Sequence, residues 1–215
     1  MHMLFTFMLV LHIAAGFTAL IFGFAAILSG KGNRRHLLTG RVFYRSMLVI
    51  AFSAVILSLF RLNLFLLLIA LFALYNNVSG YRSVKNKSLR PQKIDWIVTG
   101  LGLVTGLVMI ATLNVVLIVF GSISCVLSVG DLRAYQLILR GKEAPRFAWL
   151  IKHIGMMMGA YIATFTAFVV VNIDFVQPAW IPWLAPTALG VPVMVYWQRK
   201  YANGLSPAKV SARRR

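Results

Sequence analysis

The sequence predicts an all-α, polytopic integral membrane protein with seven transmembrane helices, the N-terminus outside and the C-terminus in the cytoplasm. Of its 215 residues, 60% are hydrophobic and only 12% are charged, whereas soluble domains carry about 25% charged residues. Most of the apolar stretches come close to the roughly 20 residues that a helix needs to cross a bilayer, and basic flanks that reach the headgroups allow a shorter one. Basic clusters separate these stretches. This pattern excludes a disordered chain and a soluble enzyme domain, and the single cysteine, Cys125, excludes a secreted disulfide scaffold.

Seven apolar stretches are candidates for membrane spans. They are Leu4–Ser29, Val42–Phe60, Leu64–Gly80, Ile94–Leu113, Val115–Gly130, His153–Val171 and Ala179–Trp197. Asn63 and Asn114 mark very short turns, which predicts antiparallel hairpins between spans two and three and between spans four and five. The seventh stretch contains Pro182, Pro186 and Pro192, so we expect its outer half to be irregular.

The basic residues predict the orientation of these spans. The chain has 22 Lys+Arg against 4 Asp+Glu, a net charge of +18, and all but Arg61 lie in the first, third and fifth connections or in the C-terminal tail. By the positive-inside rule those connections are cytoplasmic. The chain is therefore expected to form one seven-helix domain, 1–198, and a basic cytoplasmic tail, 199–215. The same clusters favour anionic lipid headgroups as partners over nucleic acid, and Arg213–Arg215 is expected to touch those headgroups.

Small and polar residues recur at helical spacing along four of the spans, a pattern typical of helix packing faces in membranes. These stripes are His12, Ala15, Ala19, Gly23, Ala26 and Gly30 in the first span; Asp95, Thr99, Gly102 and Gly106 in the fourth; Gly121, Ser124, Cys125, Ser128, Asp131 and Tyr135 in the fifth; and His153, Met157, Ala160, Thr164 and Ala167 in the sixth. They predict close helix contacts within the bundle. They also suit a homo-oligomer or a partner membrane protein.

Three ionisable residues, His36, Asp131 and His153, fall at one depth near the cytoplasmic boundary and come from separate segments. Ionisable groups at such positions are candidates for function. Two imidazoles and a carboxylate suit a divalent metal ion such as Zn²⁺ or Fe²⁺, and two facing imidazoles suit haem b. The alternative is a structural lock, in which Asp131 pairs with His153, His36 or Arg45 so that no charge is left unpaired.

Other polar residues are weaker candidates. Those near the same level are Tyr44, Arg45, Asn76, Asn77 and Tyr135. His12 lies about nine residues into the first span, roughly 13 Å from its outer end. It is expected to be a core histidine bonded to a neighbouring hydroxyl or carbonyl, with a relay or ligand role as the alternative.

Several segments resemble a family of uncharacterised bacterial membrane proteins. The strongest likeness lies in His-x-x-x-Gly at His12–Gly16 and in Lys-Gly-x-x-x-His-x-x-x-Gly at Lys31–Gly40. Ser79–Arg82 and His153–Phe168 are also similar to that family. The resemblance implies a helical integral membrane fold in a bacterial cytoplasmic membrane, and it carries no established activity.

The sequence leaves three functions open. The first is a redox or metal-binding membrane protein with its site at His36, Asp131 and His153. The second is a transporter of a small solute, suggested by Asp131, His12 and the proline-containing seventh span. The third is an accessory subunit of a membrane complex. No catalytic motif such as Gly-x-Ser-x-Gly or His-Glu-x-x-His is present, so no enzyme class is assigned.

Overall fold

A computed structural model describes residues 2–173 and 175–204, and for residues 203 and 204 it describes the backbone only. This part of the chain forms seven α-helices and no strand. The helices are α1 (His2–Leu28), α2 (Arg34–Phe60), α3 (Leu64–Lys85), α4 (Lys93–Ala111), α5 (Val115–Leu139), α6 (Ala148–Asn172) and α7 (Trp180–Gly204). The first six are long and apolar enough to cross a membrane. The protein is therefore a multi-pass helical membrane protein by length and composition.

Most helices extend beyond the apolar stretches that predicted them, chiefly at the end of the bundle where the basic residues lie. We call this the basic end. α2 begins at Arg34 rather than at Val42, because the Asn33 side chain caps its first turn by accepting a bond from the His36 N–H at 2.8 Å. At the same end, α3 continues to Lys85 and α5 to Leu139. Polar residues at these helix ends are thereby held on rigid backbone.

The short connections at the opposite end agree with the predicted hairpins. Asn63 and Asn114 each cap the following helix with the side-chain oxygen. The residues before them, Leu62 and Leu113, have φ values of 49° and 56°, a left-handed conformation that non-glycine residues seldom adopt. This conformation reverses the chain within very few residues.

α7 does not have the irregular outer half that its prolines predicted. It is a single helix that contains Pro186 and Pro192, and it continues beyond Gln198 to Gly204. α7 runs antiparallel to α6, as two contacts show. Gly190 packs against Ile162, and further along α7 Gln198 Nε2 donates to the carbonyl of Ile151, which comes earlier in α6, at 3.0 Å. The rest of the predicted tail, including Arg213–Arg215, lies outside the described residues.

The core of the bundle is built on α3 and α6. α3 packs against α2, α4 and α6, whereas α6 also contacts α1 and α7. α1 pairs with α2, and α4 pairs with α5. The central cluster contains Phe43 and Met47 of α2, Phe72 of α3 and Phe120 of α5, all 2–3% exposed.

Most residues of the small-residue stripes lie at helix contacts, as the sequence predicted, but Gly30 of the first stripe and Ala167 of the sixth-span stripe are exposed. Ala15, Ala19, Gly23 and Ala26 are the buried residues of α1. On the α4–α5 contact, a Cβ on Gly106 would lie 2.8 Å from the Gly121 carbonyl oxygen, and one on Gly121 would lie 2.7 Å from the Gly106 carbonyl oxygen. These two glycines therefore bring the helix backbones together.

Candidate functional site

His36 and His153 lie together at the basic end, as the shared depth of these residues suggested. Their ring centroids are 6.3 Å apart and the ring planes are nearly perpendicular, at 85°. His36 is in the first turn of α2 and His153 in the second turn of α6. The structure thus joins two histidines that are far apart in sequence.

Each imidazole is oriented by a backbone carbonyl from another helix. The His36 Nδ1–H donates to the Ala26 carbonyl of α1 at 3.0 Å, and the His153 Nδ1–H donates to the Gly80 carbonyl of α3 at 2.9 Å. Because a carbonyl can only accept, the proton of each neutral ring is on Nδ1. The lone pair is then on Nε2, the arrangement that carbonyl partners impose on metal-binding histidines.

Gly80 permits this geometry by bringing α3 close to α6. A Cβ on Gly80 would lie 2.8 Å from Met157 Sδ and 3.0 Å from Met156 Cβ. Gly80 is the last residue of the predicted third span, but it lies within α3, and its role is close packing. A side chain here would push α6 away and lengthen the bond from His153.

Lys31 adds a positive charge beside the pair. Its Nζ donates to the Ile27 and Ala26 carbonyls at 2.5 and 3.2 Å, which caps the C-terminus of α1. Since Ala26 O also accepts from His36, the ammonium and that imidazole nitrogen are within about 6 Å. Burial lowers the pKa of Lys31. The following residue, Gly32, has a φ of 82°, a left-handed conformation that glycine adopts without steric strain.

Asp131 does not join the histidines. Its Oδ1 lies 2.7 Å from Lys152 Nζ, and its Oδ2 accepts a bond from Tyr75 OH at 3.1 Å. The structural-lock hypothesis paired Asp131 with His153, His36 or Arg45, and its charge partner is Lys152 instead. In the part of the chain that the structure describes, no group of three His, Cys, Asp or Glu residues is placed to hold one metal ion. Asp131 is thus part of a separate, buried ion pair.

The ion pair continues into a small polar network between α3, α4, α5 and α6. Lys152 Nζ also donates to Tyr135 OH at 3.4 Å, and Thr99 Oγ1 lies 3.2 Å from the same oxygen. Asp131 is 7% exposed and Thr99 is fully buried. With both charges paired and hydrogen-bonded, the network stabilises the packing of these helices without leaving an isolated charge.

A second ion pair joins α3 to α4 at the basic end. Arg82 binds Asp95 through Nε and Nη2, at 2.5 and 2.9 Å, and its Nη2 also donates to Gln92 Oε1 at 2.9 Å. Asp95 in turn accepts a bond from the Gln92 N–H at 2.8 Å, which caps α4. Neither Arg82 nor Lys152 was singled out from the sequence, where both counted only as cytoplasmic basic residues.

His12 is held by a neighbouring hydroxyl, well away from the histidine pair. Its Nδ1 is 3.0 Å from Ser53 Oγ, and that hydroxyl donates its own proton to the Val49 carbonyl at 2.7 Å. The imidazole is therefore the donor to Ser53. This is the arrangement expected of a core histidine.

The remaining candidates do not touch the histidine pair through any bond among the described residues. Tyr44 stacks on Tyr81 with centroids 3.9 Å apart, and its carbonyl accepts a bond from Asn77 Nδ2 at 3.1 Å. Asn76 Nδ2 donates to Phe72 O at 2.9 Å. Arg45 is exposed. Tyr44 and Asn77 thus join α2 to α3 near the site.

Comparison with known proteins does not extend these observations, because no family, curated protein or solved structure matches the chain. The resemblance to uncharacterised bacterial membrane proteins stays a prediction.

Proposed function

We propose that this chain is a seven-span protein of the bacterial cytoplasmic membrane in which His36 and His153 bind a transition-metal ion at the cytoplasmic face. The observation that carries the proposal is the matched orientation of the two rings. Each is fixed through Nδ1 by a backbone carbonyl, so each has Nε2 as its basic nitrogen.

The spacing of the rings is compatible with one shared ion. With a metal about 2.0–2.1 Å from each nitrogen, two imidazole centroids lie roughly 5 Å apart at a tetrahedral angle and roughly 6.4 Å apart at a linear one. The centroids of His36 and His153 are 6.3 Å apart, so a tetrahedral ion would draw the two rings about 1 Å closer together. Neutral imidazoles suit Zn²⁺ and other first-row transition metals.

Among the described residues, no carboxylate forms a three-residue ligand group with the two histidines. Asp131 and Asp95 are bound to Lys152 and Arg82, and Lys31 adds a further positive charge near the histidines. The remaining coordination positions would therefore be taken by water or by an anion from solution. Open positions are the hallmark of metal sites that act on a ligand rather than only stabilise a fold.

The orientation rests on the distribution of charge. The connections α1–α2, α3–α4 and α5–α6 carry the basic clusters, and α7 ends with Arg199 and Lys200 at the same end of the bundle. With α7 as a seventh membrane crossing, all the basic clusters lie on one side of the membrane, which the positive-inside rule makes the cytoplasmic side.

The test is Zn²⁺ binding by the full-length protein in nanodiscs, measured by elemental analysis after removal of free ion and by titration. We expect one Zn²⁺ per chain. His36→Asn and His153→Asn each keep an N–H donor but lose the imidazole, and each should weaken binding by at least about 100-fold, beyond the loss typical of outer-shell changes. The control is His12→Asn, which should bind as the unmodified chain does.

Three outcomes contradict the proposal. One is the lack of stoichiometric Zn²⁺ in the unmodified protein. Another is equal loss of Zn²⁺ in the His12 control. The third is a Soret band in the purified protein that both site variants abolish, which would assign the pair to haem b instead.

A further inference from the structure

We propose that α7 binds one phospholipid with an anionic headgroup, its acyl chain along an apolar groove and its phosphate against Arg199 and Lys200. This binding does not depend on a metal ion, although Lys31 lies close to both Trp197 and His36. It is carried by a groove, by cations held in place by aromatic rings, and by the length of the groove.

The groove is shallow and open, and it runs along one face of α7, the helix that supplies every described residue lining it. Val191, Pro192 and Val195 form its apolar part, and Tyr196, Arg199 and Lys200 its polar end. Pro192 and Tyr196 are exposed, as are both cations. An apolar groove on the outside of a membrane bundle excludes water, so acyl chains are its natural filling.

Aromatic side chains hold the cations at the polar end. Lys200 Nζ lies 4.8 Å from the ring centroid of Trp197 and 5.8 Å from that of Tyr196. Lys31, from the α1–α2 connection, lies 5.4 Å from the same Trp197 ring. Two chain segments therefore bring ammonium groups to one indole, and Arg199, the residue before Lys200, lies at the same end of the groove. Cations restrained in this way lose less entropy when they bind a phosphate.

The length of the groove matches one leaflet of the bilayer. From Val191 to Lys200 the helix rises roughly 14 Å, and half of a 30 Å hydrocarbon core is about 15 Å. An acyl chain in contact with Val191 and Val195 would thus have its headgroup at the level of the cations. The basic end of the bundle is also where the positive-inside rule places the anionic cytoplasmic leaflet.

A second copy of the chain is a poorer occupant. Copies in one membrane are parallel, and a twofold axis along the membrane normal would pair this face with itself. Arg199 and Lys200 of one copy would then meet the same residues of the other. Like charges at such a contact oppose association, whereas a phosphate is attracted by them.

The experiment measures contact between Trp197 and lipid in full-length protein reconstituted into vesicles. The other four tryptophans, Trp96, Trp149, Trp180 and Trp183, are replaced by Phe, so that the fluorescence reports on Trp197 alone. Phosphatidylglycerol with brominated acyl chains, diluted in phosphatidylcholine, should quench Trp197 more strongly than brominated phosphatidylcholine at the same fraction. Unlabelled phosphatidylglycerol should relieve the quenching, and unlabelled phosphatidylcholine should not.

The charge dependence is tested with a matched pair of variants. Arg199→Gln with Lys200→Gln should lower the preference for phosphatidylglycerol by about fivefold for each charge removed, the effect expected of a basic residue near a membrane surface. The control, Arg140→Gln with Lys142→Gln, removes two exposed cations from the α5–α6 region of the same end and should keep the preference.

Equal quenching by the two lipids would overturn the proposal, as would an equal loss of preference in the control. Trp197 fluorescence that neither lipid quenches, in a protein that crosslinks as a dimer through α7, would assign the face to a second copy. Repeating the assay with His36→Asn and His153→Asn should leave the lipid preference unchanged.

Discussion

Lys152 and His153 are consecutive residues of α6 that serve two different clusters. Lys152 Nζ is 2.7 Å from Asp131 of α5, whereas His153 Nδ1 donates to Gly80 O of α3 and its ring faces His36 of α2. The first turns of α6 therefore connect a buried ion pair on one side with a pair of imidazoles on the other. Rotation of α6 would disturb both clusters together.

Breaking the ion pair is expected to destabilise the protein strongly. Lys152→Met leaves Asp131 buried without its cation, and such a change costs roughly 3–5 kcal/mol. The combined variant Lys152→Met with Asp131→Leu removes both charges and should recover much of that loss, because an apolar pair needs no compensation. Thermal unfolding in detergent measures both. A double variant less stable than Lys152→Met would contradict the pairing.

Gly80→Ala is expected to affect stability and the histidine pair together. The new methyl group would lie 2.8 Å from Met157 Sδ and 3.0 Å from Met156 Cβ. The flexible thioether can move, but Met156 Cβ cannot without a shift of α6. We expect a loss of about 1–3 kcal/mol and weaker Zn²⁺ binding, measured by unfolding and by titration.

The control for this variant is Gly100→Ala in α4. A Cβ there meets no atom within 4 Å, so the substitution should be neutral or stabilise the helix by up to about 1 kcal/mol. A similar effect on Zn²⁺ binding from both variants would show that Gly80 has no special position.

Gly106→Ala is expected to destabilise the fold more than Gly80→Ala does. Its Cβ would lie 2.8 Å from the carbonyl oxygen of Gly121, and backbone cannot give way as a methionine side chain can. Separation of α4 from α5 should lower the yield of folded protein, measured as the monodisperse fraction after purification. Gly130→Ala in α5, where a Cβ has open space, is the matched control and should purify normally.

Cysteine labelling in intact cells tests the topology. In a Cys125→Ala background, Leu113→Cys sits in the α4–α5 connection and Lys87→Cys in the α3–α4 connection. A membrane-impermeant maleimide should label the first and not the second, because basic connections face the cytoplasm. The reverse pattern would invert the predicted orientation and move the histidine pair to the outer face.

The helices and their contact faces were largely predictable from the sequence. Length and apolarity locate a membrane helix, and small residues mark its packing face, as Gly23 and Gly106 illustrate. The helix ends were less predictable, since Arg34 and Lys85 are basic residues that a capped helix accommodates beyond the apolar core.

The site was predictable only in part. Counting depth along two spans was enough to suggest that His36 and His153 meet. It could not tell that α6 turns Lys152 toward Asp131, or that Gly80 supplies the carbonyl for His153. Those facts depend on how α3, α5 and α6 rotate about their axes, and the rotation is decided by packing of the whole bundle.

The left-handed leucines at positions 62 and 113 have a consequence for how the bundle can move. Connections this short fix the relative position of the two helix ends that they join. At that side of the membrane, α2 therefore cannot slide past α3, and α4 cannot slide past α5. Each hairpin therefore moves as one rigid unit at that side. The two helices of each hairpin can therefore separate only at the other side, where the paired imidazoles lie.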